Sequence, residues 1–122
     1  MMTILLLCGI YNAGFALFHI LFWKIFKWDR ELSKMGFANK AIMQILNNQM
    51  IYYFIFVSFV CFLLPSELLN TRLGHVFLTG NSIFWLLRAI QQLIFLRRNH
   101  LIIHLLTCIF LAGAVLFIIP VL

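Results

Sequence analysis

The sequence predicts an all-α integral membrane protein, a single-domain bundle of four transmembrane helices. Of its 122 residues, 65% are hydrophobic and only 10% are charged, well above the apolar share of an average soluble domain. A helix needs about 20 apolar residues to cross a bilayer, and the sequence contains four runs of that length. These runs and their short connectors fill residues 1–122, which leaves no room for a soluble domain. The predicted spans lie at about 3–25, 39–64, 74–96 and 100–119.

Small, polar and helix-capping residues support the first two spans. Gly9, Asn12, Ala16 and His19 share one face of the first span, and small side chains on such a face let a neighbouring helix approach closely. Asn39 is a suitable N-cap for the second span. The connector between these spans alternates aromatic residues with charges, so we expect it to lie flat on the membrane.

The positive charges predict the orientation. The connectors after the first and third spans, together with the helix ends that flank them, hold seven lysines and arginines, whereas the second connector holds one. By the positive-inside rule both basic connectors are cytoplasmic, and both termini lie outside the inner membrane. Because the charges sit at membrane boundaries, the net charge of +6 indicates a bilayer partner and no nucleic acid.

An arginine lies inside the third predicted span, in the stretch TGNSIFWLLRAIQQ at residues 79–92. Asn81, Trp85, Arg88 and Gln92 follow helical spacing and form one stripe. A guanidinium near the bilayer centre costs about 2.5 to 3.5 kcal/mol on insertion scales, so it normally faces a partner or a wet cavity. Arg88 is therefore a candidate functional residue.

Polar side chains of all four spans are predicted at a similar depth in the inner leaflet. Measured from the flanking charges at about 1.5 Å per residue, this layer contains His19, Gln44, Asn47, Asn48, Arg88, Gln91, Gln92 and His104. The layer contains no carboxylate, because the three acids, Asp29, Glu31 and Glu67, lie in connectors. Arg88 is then satisfied by neighbouring amides, including Asn12, by an anionic ligand or lipid, or by an acid of another protein.

These patterns leave several functions open. The leading hypothesis is a protein that binds or conducts a small anionic or polar ligand. Arg88 would supply the charge, Gln44, Asn47, Asn48 and Gln92 hydrogen bonds, and His19 and His104 donors that respond to pH. The alternatives are an accessory subunit that pairs Arg88 with a larger membrane protein, a haem protein with His19 and His104 as axial ligands, and amides that only hold the helices together.

Other classes of function have little support in the sequence. No catalytic motif such as G-x-S-x-G or H-E-x-x-H occurs, so enzymatic activity is not predicted. Three scattered cysteines without a C-x-x-C spacing predict no metal site. Four helices enclose only a thin interior, so a homodimer is a reasonable expectation.

Three stretches together, FHILFWKIFKW, NKAIMQILN and FWLLRAIQQ, resemble a group of small bacterial four-span membrane proteins of uncharacterised activity. The resemblance covers most of the chain and implies a four-helix architecture in the inner membrane. It implies no activity, cofactor or site residue.

Overall fold

A computed structural model describes residues 2–96 and 100–122, and all regular structure in these residues is helical. Seven α-helices follow one another: α1 (Met2–Ile20), α2 (Phe22–Ile25), α3 (Trp28–Glu31), α4 (Phe37–Leu63), α5 (Pro65–Asn70), α6 (Arg72–Phe95) and α7 (Leu101–Ile118). Two 3-10 turns, Leu32–Lys34 and Ile119–Val121, follow α3 and α7. The sequence also predicts a tight turn at Arg97 to Asn99, and these residues lie outside the described ranges.

Within the described residues, three helices are long and apolar enough to cross a membrane. They are Met2–Ile20, Phe37–Leu63 and Leu101–Val121. Large apolar side chains such as Leu63, Leu101 and Val115 are exposed along them, a surface that suits lipid and not water. The chain is therefore a helical membrane protein. The remaining long helix, α6, has 24 residues and corresponds to the third predicted span.

Helix boundaries differ from the predicted ones at two places. The first long helix ends at Ile20, and the short helix α2 continues to Ile25 after a one-residue break at Leu21. Asn39 is not the N-cap of α4, because that helix begins at Phe37 and the amide of Lys40 already donates to the carbonyl of Gly36. The sequence predicts that the second span stops at Pro65, and α4 ends at Leu63. Pro65 is the first residue of α5, where its missing N–H has no helical role.

The chain divides into two compact units. The 9–60 unit is Gly9–Val60, and the 61–122 unit consists of Cys61–Leu122 together with Met1–Cys8.

In the 9–60 unit, small residues and aromatic rings hold α1 to α4. The hydroxyl of Ser58 donates to the carbonyl of Gly9 at 2.9 Å, a contact that the absent side chain of Gly9 permits. Towards the connector, the rings of Phe15 and Phe54 pack 6.0 Å apart. Trp28 is buried with its ring 5.3 Å from that of Phe22, so α3 folds back against the end of the helical segment before it.

In the 61–122 unit, α6 packs along α7. The hydroxyl of Ser82 donates to the carbonyl of Ala114 at 2.6 Å. One turn further along α6, the rings of Trp85 and Phe110 stack with centroids 5.8 Å apart. The buried residues of α6 recur every three or four positions and form one stripe: Gly74, Leu78, Asn81, Ser82, Trp85, Ala89 and Gln92. This stripe fixes which side of α6 faces α7.

Candidate functional site

The polar stripe predicted on α6 is present in the structure. Asn81, Trp85 and Gln92 are buried on the packed side of the helix, and Arg88 lies at the edge of that side with its side chain half-buried. The side-chain amide of Asn81 donates to the carbonyl of Phe77 at 2.9 Å, a hydrogen bond within its own helix. Arg88 thus has the position that the spacing predicted.

The guanidinium of Arg88 has neutral neighbours. Its Nη1 donates to Oε1 of Gln92, one turn along the helix, at 3.1 Å. Its central carbon lies 4.6 Å from the centroid of the Phe110 ring on α7, a distance at which the ring quadrupole attracts a cation. The amide oxygen and the ring face both favour the positive charge, but neither carries a negative charge that would neutralise it.

Gln92 is buried in an unusual way. Its side chain is 1% exposed, and within the described residues its Nε2 has no hydrogen-bond partner. A buried donor without an acceptor costs about 1–3 kcal/mol. The amide oxygen turns towards Arg88, so the amide nitrogen on the same carbon is also close to the guanidinium. Arg88 and Gln92 therefore place donor groups next to each other, of which Nε2 of Gln92 is buried and the side chain of Arg88 is partly exposed.

A second polar contact lies in the 9–60 unit, between His19 on α1 and Asn47 on α4. Nδ2 of Asn47 donates to the backbone carbonyl of His19 at 3.1 Å. The other polar atom of the amide, Oδ1, is therefore the acceptor. Oδ1 of Asn47 lies 2.8 Å from Nδ1 of His19, so Nδ1 carries the ring proton. The His19 ring also packs against Phe22 and Phe54, with centroids 4.2 Å and 5.2 Å away.

The other predicted site residues have varied surroundings. Asn12 is fully buried on α1, Gln44 is half-buried on α4, and Asn48 is exposed beside the buried Asn47. His104 is exposed on α7. Since His19 and His104 belong to different units, the haem ligand pair stays a prediction, as does the shared polar layer. Among the described residues, no group of three or more His, Cys, Asp or Glu side chains could hold a metal ion.

Sequence reasoning missed the ring that lies under Arg88. The sequence predicts a face of the last span through His100, His104, Thr107, Leu111 and Ala114. The buried residues of α7 include Thr107, Phe110 and Ala114 but neither His104 nor Leu111. The only signal for Phe110 was the spacing of 107, 110, 114 and 117, which is also helical. This spacing did not single out Phe110, because apolar residues occur on every face of this helix.

Comparison with known proteins assigns no relative: no family model matches the chain, and no curated protein or solved structure is significantly similar to it.

Proposed function

We propose that this protein is a small multi-pass membrane protein that binds or conducts a small anionic ligand at Arg88. Its four spans would be α1, α4, α6 and α7, with both termini outside the inner membrane. The seven-to-one distribution of connector cations supports that orientation. The length of α6, 24 residues, supports its assignment as a span, since it gives about 36 Å against a hydrocarbon core of about 30 Å.

One observation carries the proposal: the charge of Arg88 is held only by neutral groups within the described residues. Gln92 and Phe110 orient the guanidinium, and one hydrogen bond uses one of its five N–H donors. The side chain is only half-buried, so a ligand can reach it. An anion there would neutralise the charge and accept several hydrogen bonds, which are strongest when both partners are ionised.

The experiment compares Arg88→Gln with the wild-type protein in liposomes and in lipid nanodiscs. Iodide entry into liposomes is followed with a trapped halide-sensitive dye, and iodide binding in nanodiscs is measured by equilibrium dialysis. We expect Arg88→Gln to insert and fold but to lose at least about tenfold in affinity or flux, since a charge-assisted hydrogen bond contributes about 1.5–3 kcal/mol.

Arg72→Gln is the matched control. Arg72 is the exposed first residue of the same helix, so its replacement removes an equal charge at the opposite end. It should bind and transport iodide as the wild type does. Equal affinity and flux in the wild type and Arg88→Gln would contradict the proposed function.

A second candidate is an accessory subunit whose Arg88 pairs with an acid of a larger membrane protein. The incomplete burial of Arg88 favours this as well, because an acid of another chain could reach it. In that case Arg88→Glu should dissociate the complex, and changing the partner's acid to Lys should restore it. Arg88→Gln would then leave iodide binding unchanged, which separates the two candidates.

A further inference from the structure

We infer that the Arg88 site selects monovalent, weakly hydrated anions, such as nitrate, iodide and thiocyanate, over divalent sulfate and hydrogen phosphate. This inference rests on the proposed function and names the ligand class of the same site. It follows from two properties of the surroundings of Arg88, the single positive charge and the aromatic wall.

The first property is that Arg88 contributes one charge without a second cation beside it in α6. Arg72 is 16 positions earlier in the same helix, about 24 Å along its axis. A monovalent anion therefore makes a neutral pair with Arg88. A divalent anion would leave one uncompensated negative charge in a poorly polarisable environment, which is strongly unfavourable.

The second property is the aromatic surface on one side of the guanidinium, which cannot replace the water around a bound anion. One face of the guanidinium is covered by Phe110 at 4.6 Å, and Phe110 in turn stacks on the buried Trp85. Aromatic rings offer no hydrogen bonds strong enough to replace hydration. Anions that hold their water weakly lose least on entering, and a guanidinium is itself weakly hydrated. Strongly hydrated anions should therefore be rejected.

The stack also supplies a reporter close to the site. Trp85 and Arg88 both contact the ring of Phe110, so an anion on Arg88 changes the electric field at the Trp85 indole. The chain has three tryptophans, and replacing Trp23 and Trp28 with Phe leaves Trp85 as the only one. Phe keeps an aromatic ring at the Trp28 position, which packs on Phe22.

The experiment titrates nitrate, thiocyanate, chloride and sulfate into this single-tryptophan protein in phosphatidylcholine nanodiscs at constant ionic strength. Trp85 emission gives each half-saturation concentration. We expect thiocyanate and nitrate to bind before chloride, and sulfate to need at least about tenfold more than nitrate. The order should be kept in Arg72→Gln and lost in Arg88→Gln. If the double Trp→Phe variant does not fold, the Nε–H NMR resonance of Arg88 in the wild type reports the same titration.

The outcomes separate this inference from the proposed function. If no anion gives a response that depends on Arg88, both are overturned. If the response depends on Arg88 but sulfate binds as tightly as nitrate, only the monovalent selectivity is overturned.

A phosphodiester headgroup is also monovalent, so a second set of discs contains phosphatidylglycerol. A higher half-saturation concentration for nitrate in those discs, present in the wild type and absent in Arg88→Gln, identifies lipid as a monovalent occupant. Equal concentrations in both kinds of disc identify the soluble anion. Either result supports selection of a monovalent anion.

Discussion

Asn47 shows how one amide can fix a histidine inside a membrane helix pair. Its two ends bind two groups of the same residue, the ring Nδ1 and the backbone carbonyl of His19. This arrangement sets the ring orientation and the tautomer together, as a partner on the second nitrogen does for catalytic and metal-binding histidines. The neighbouring Asn48 is exposed on the same helix and provides a direct comparison.

We predict that Asn47→Leu destabilises the protein by about 1–3 kcal/mol, because the ring N–H of His19 loses the acceptor Oδ1 of Asn47 in a partly buried environment. Asn48→Leu should leave the free energy of unfolding unchanged or raise it slightly, since its side chain faces outwards. Reversible unfolding in bicelles, followed by circular dichroism, measures both. Equal destabilisation by the two substitutions would show that Asn47 does not hold His19 as the structure indicates.

Individual residues could be predicted from the sequence where placing them in a membrane has a high free-energy cost. Arg88 was conspicuous because a charge in an apolar run is expensive, and the stripe with Trp85 and Gln92 then followed from helical spacing. The residue beneath Arg88 was not predictable in the same way. Phe110 is one of 14 phenylalanines, and only the packing of α7 on α6 distinguishes it from the others.

At the scale of elements, the junction between α5 and α6 is the most tightly specified connection in the described chain. The hydroxyl of Thr71 accepts from the amide of Gly74 at 2.9 Å and caps α6. Nε2 of His75 donates to the carbonyl of Leu69 at 2.8 Å. A Cβ added at Gly74 would collide with the backbone of Leu68 and would lie 2.6 Å from the carbonyl oxygen of Glu67. Glycine is required here because the two helices meet at the backbone.

Two glycines of α6 therefore predict opposite effects of the same substitution. Gly74→Ala should destabilise the protein by about 1–3 kcal/mol, since the backbone of α5 must move away. Gly80→Ala should stabilise it by about 0.5–1 kcal/mol, because nothing lies within 4 Å of the added methyl group and alanine favours a helix over glycine. Denaturant midpoints in mild detergent measure both. A harmless Gly74→Ala would mean that α5 does not contact α6 at this position.

The sequence predicted which segments are helical more reliably than which face of each helix is buried. Apolar runs and prolines located α1, α4 and α7, since both signals act along the chain. The buried face of a helix can be predicted only when one face is clearly more polar than the other. In α4 and α7 only a few polar residues distinguish the faces. In α4 the spacing predicts one face through Gln44, Asn48 and Ile51, with Asn47 beside it, whereas the buried residues include Asn47, Phe54 and Ser58.

At the scale of the molecule, the number of crossings depends on α6. Its polar stripe lowers its hydropathy, so it is absent from the helices that are apolar enough to span by composition. Some of the residues that lower it are on the packed side, where Asn81, Ser82 and Gln92 are buried, whereas Arg88 is half-buried and Gln91 is exposed. A mean over the whole helix counts these buried polar residues as if lipid would meet them, so it underestimates the ability of α6 to cross.

We predict that α6 crosses the membrane, which places both termini on the same side. Alkaline phosphatase, which is active only outside the cytoplasm, should be active when fused to either terminus, and green fluorescent protein at the same positions should be dark. With only α1, α4 and α7 as spans, the termini would lie on opposite sides and the two fusions would disagree.

Cysteine labelling tests the sidedness of the connectors independently, in a variant that lacks Cys8, Cys61 and Cys108. An impermeant maleimide should reach Ser66→Cys from outside intact cells, and Ser33→Cys only after lysis, because the basic connector that holds Ser33 is retained in the cytoplasm.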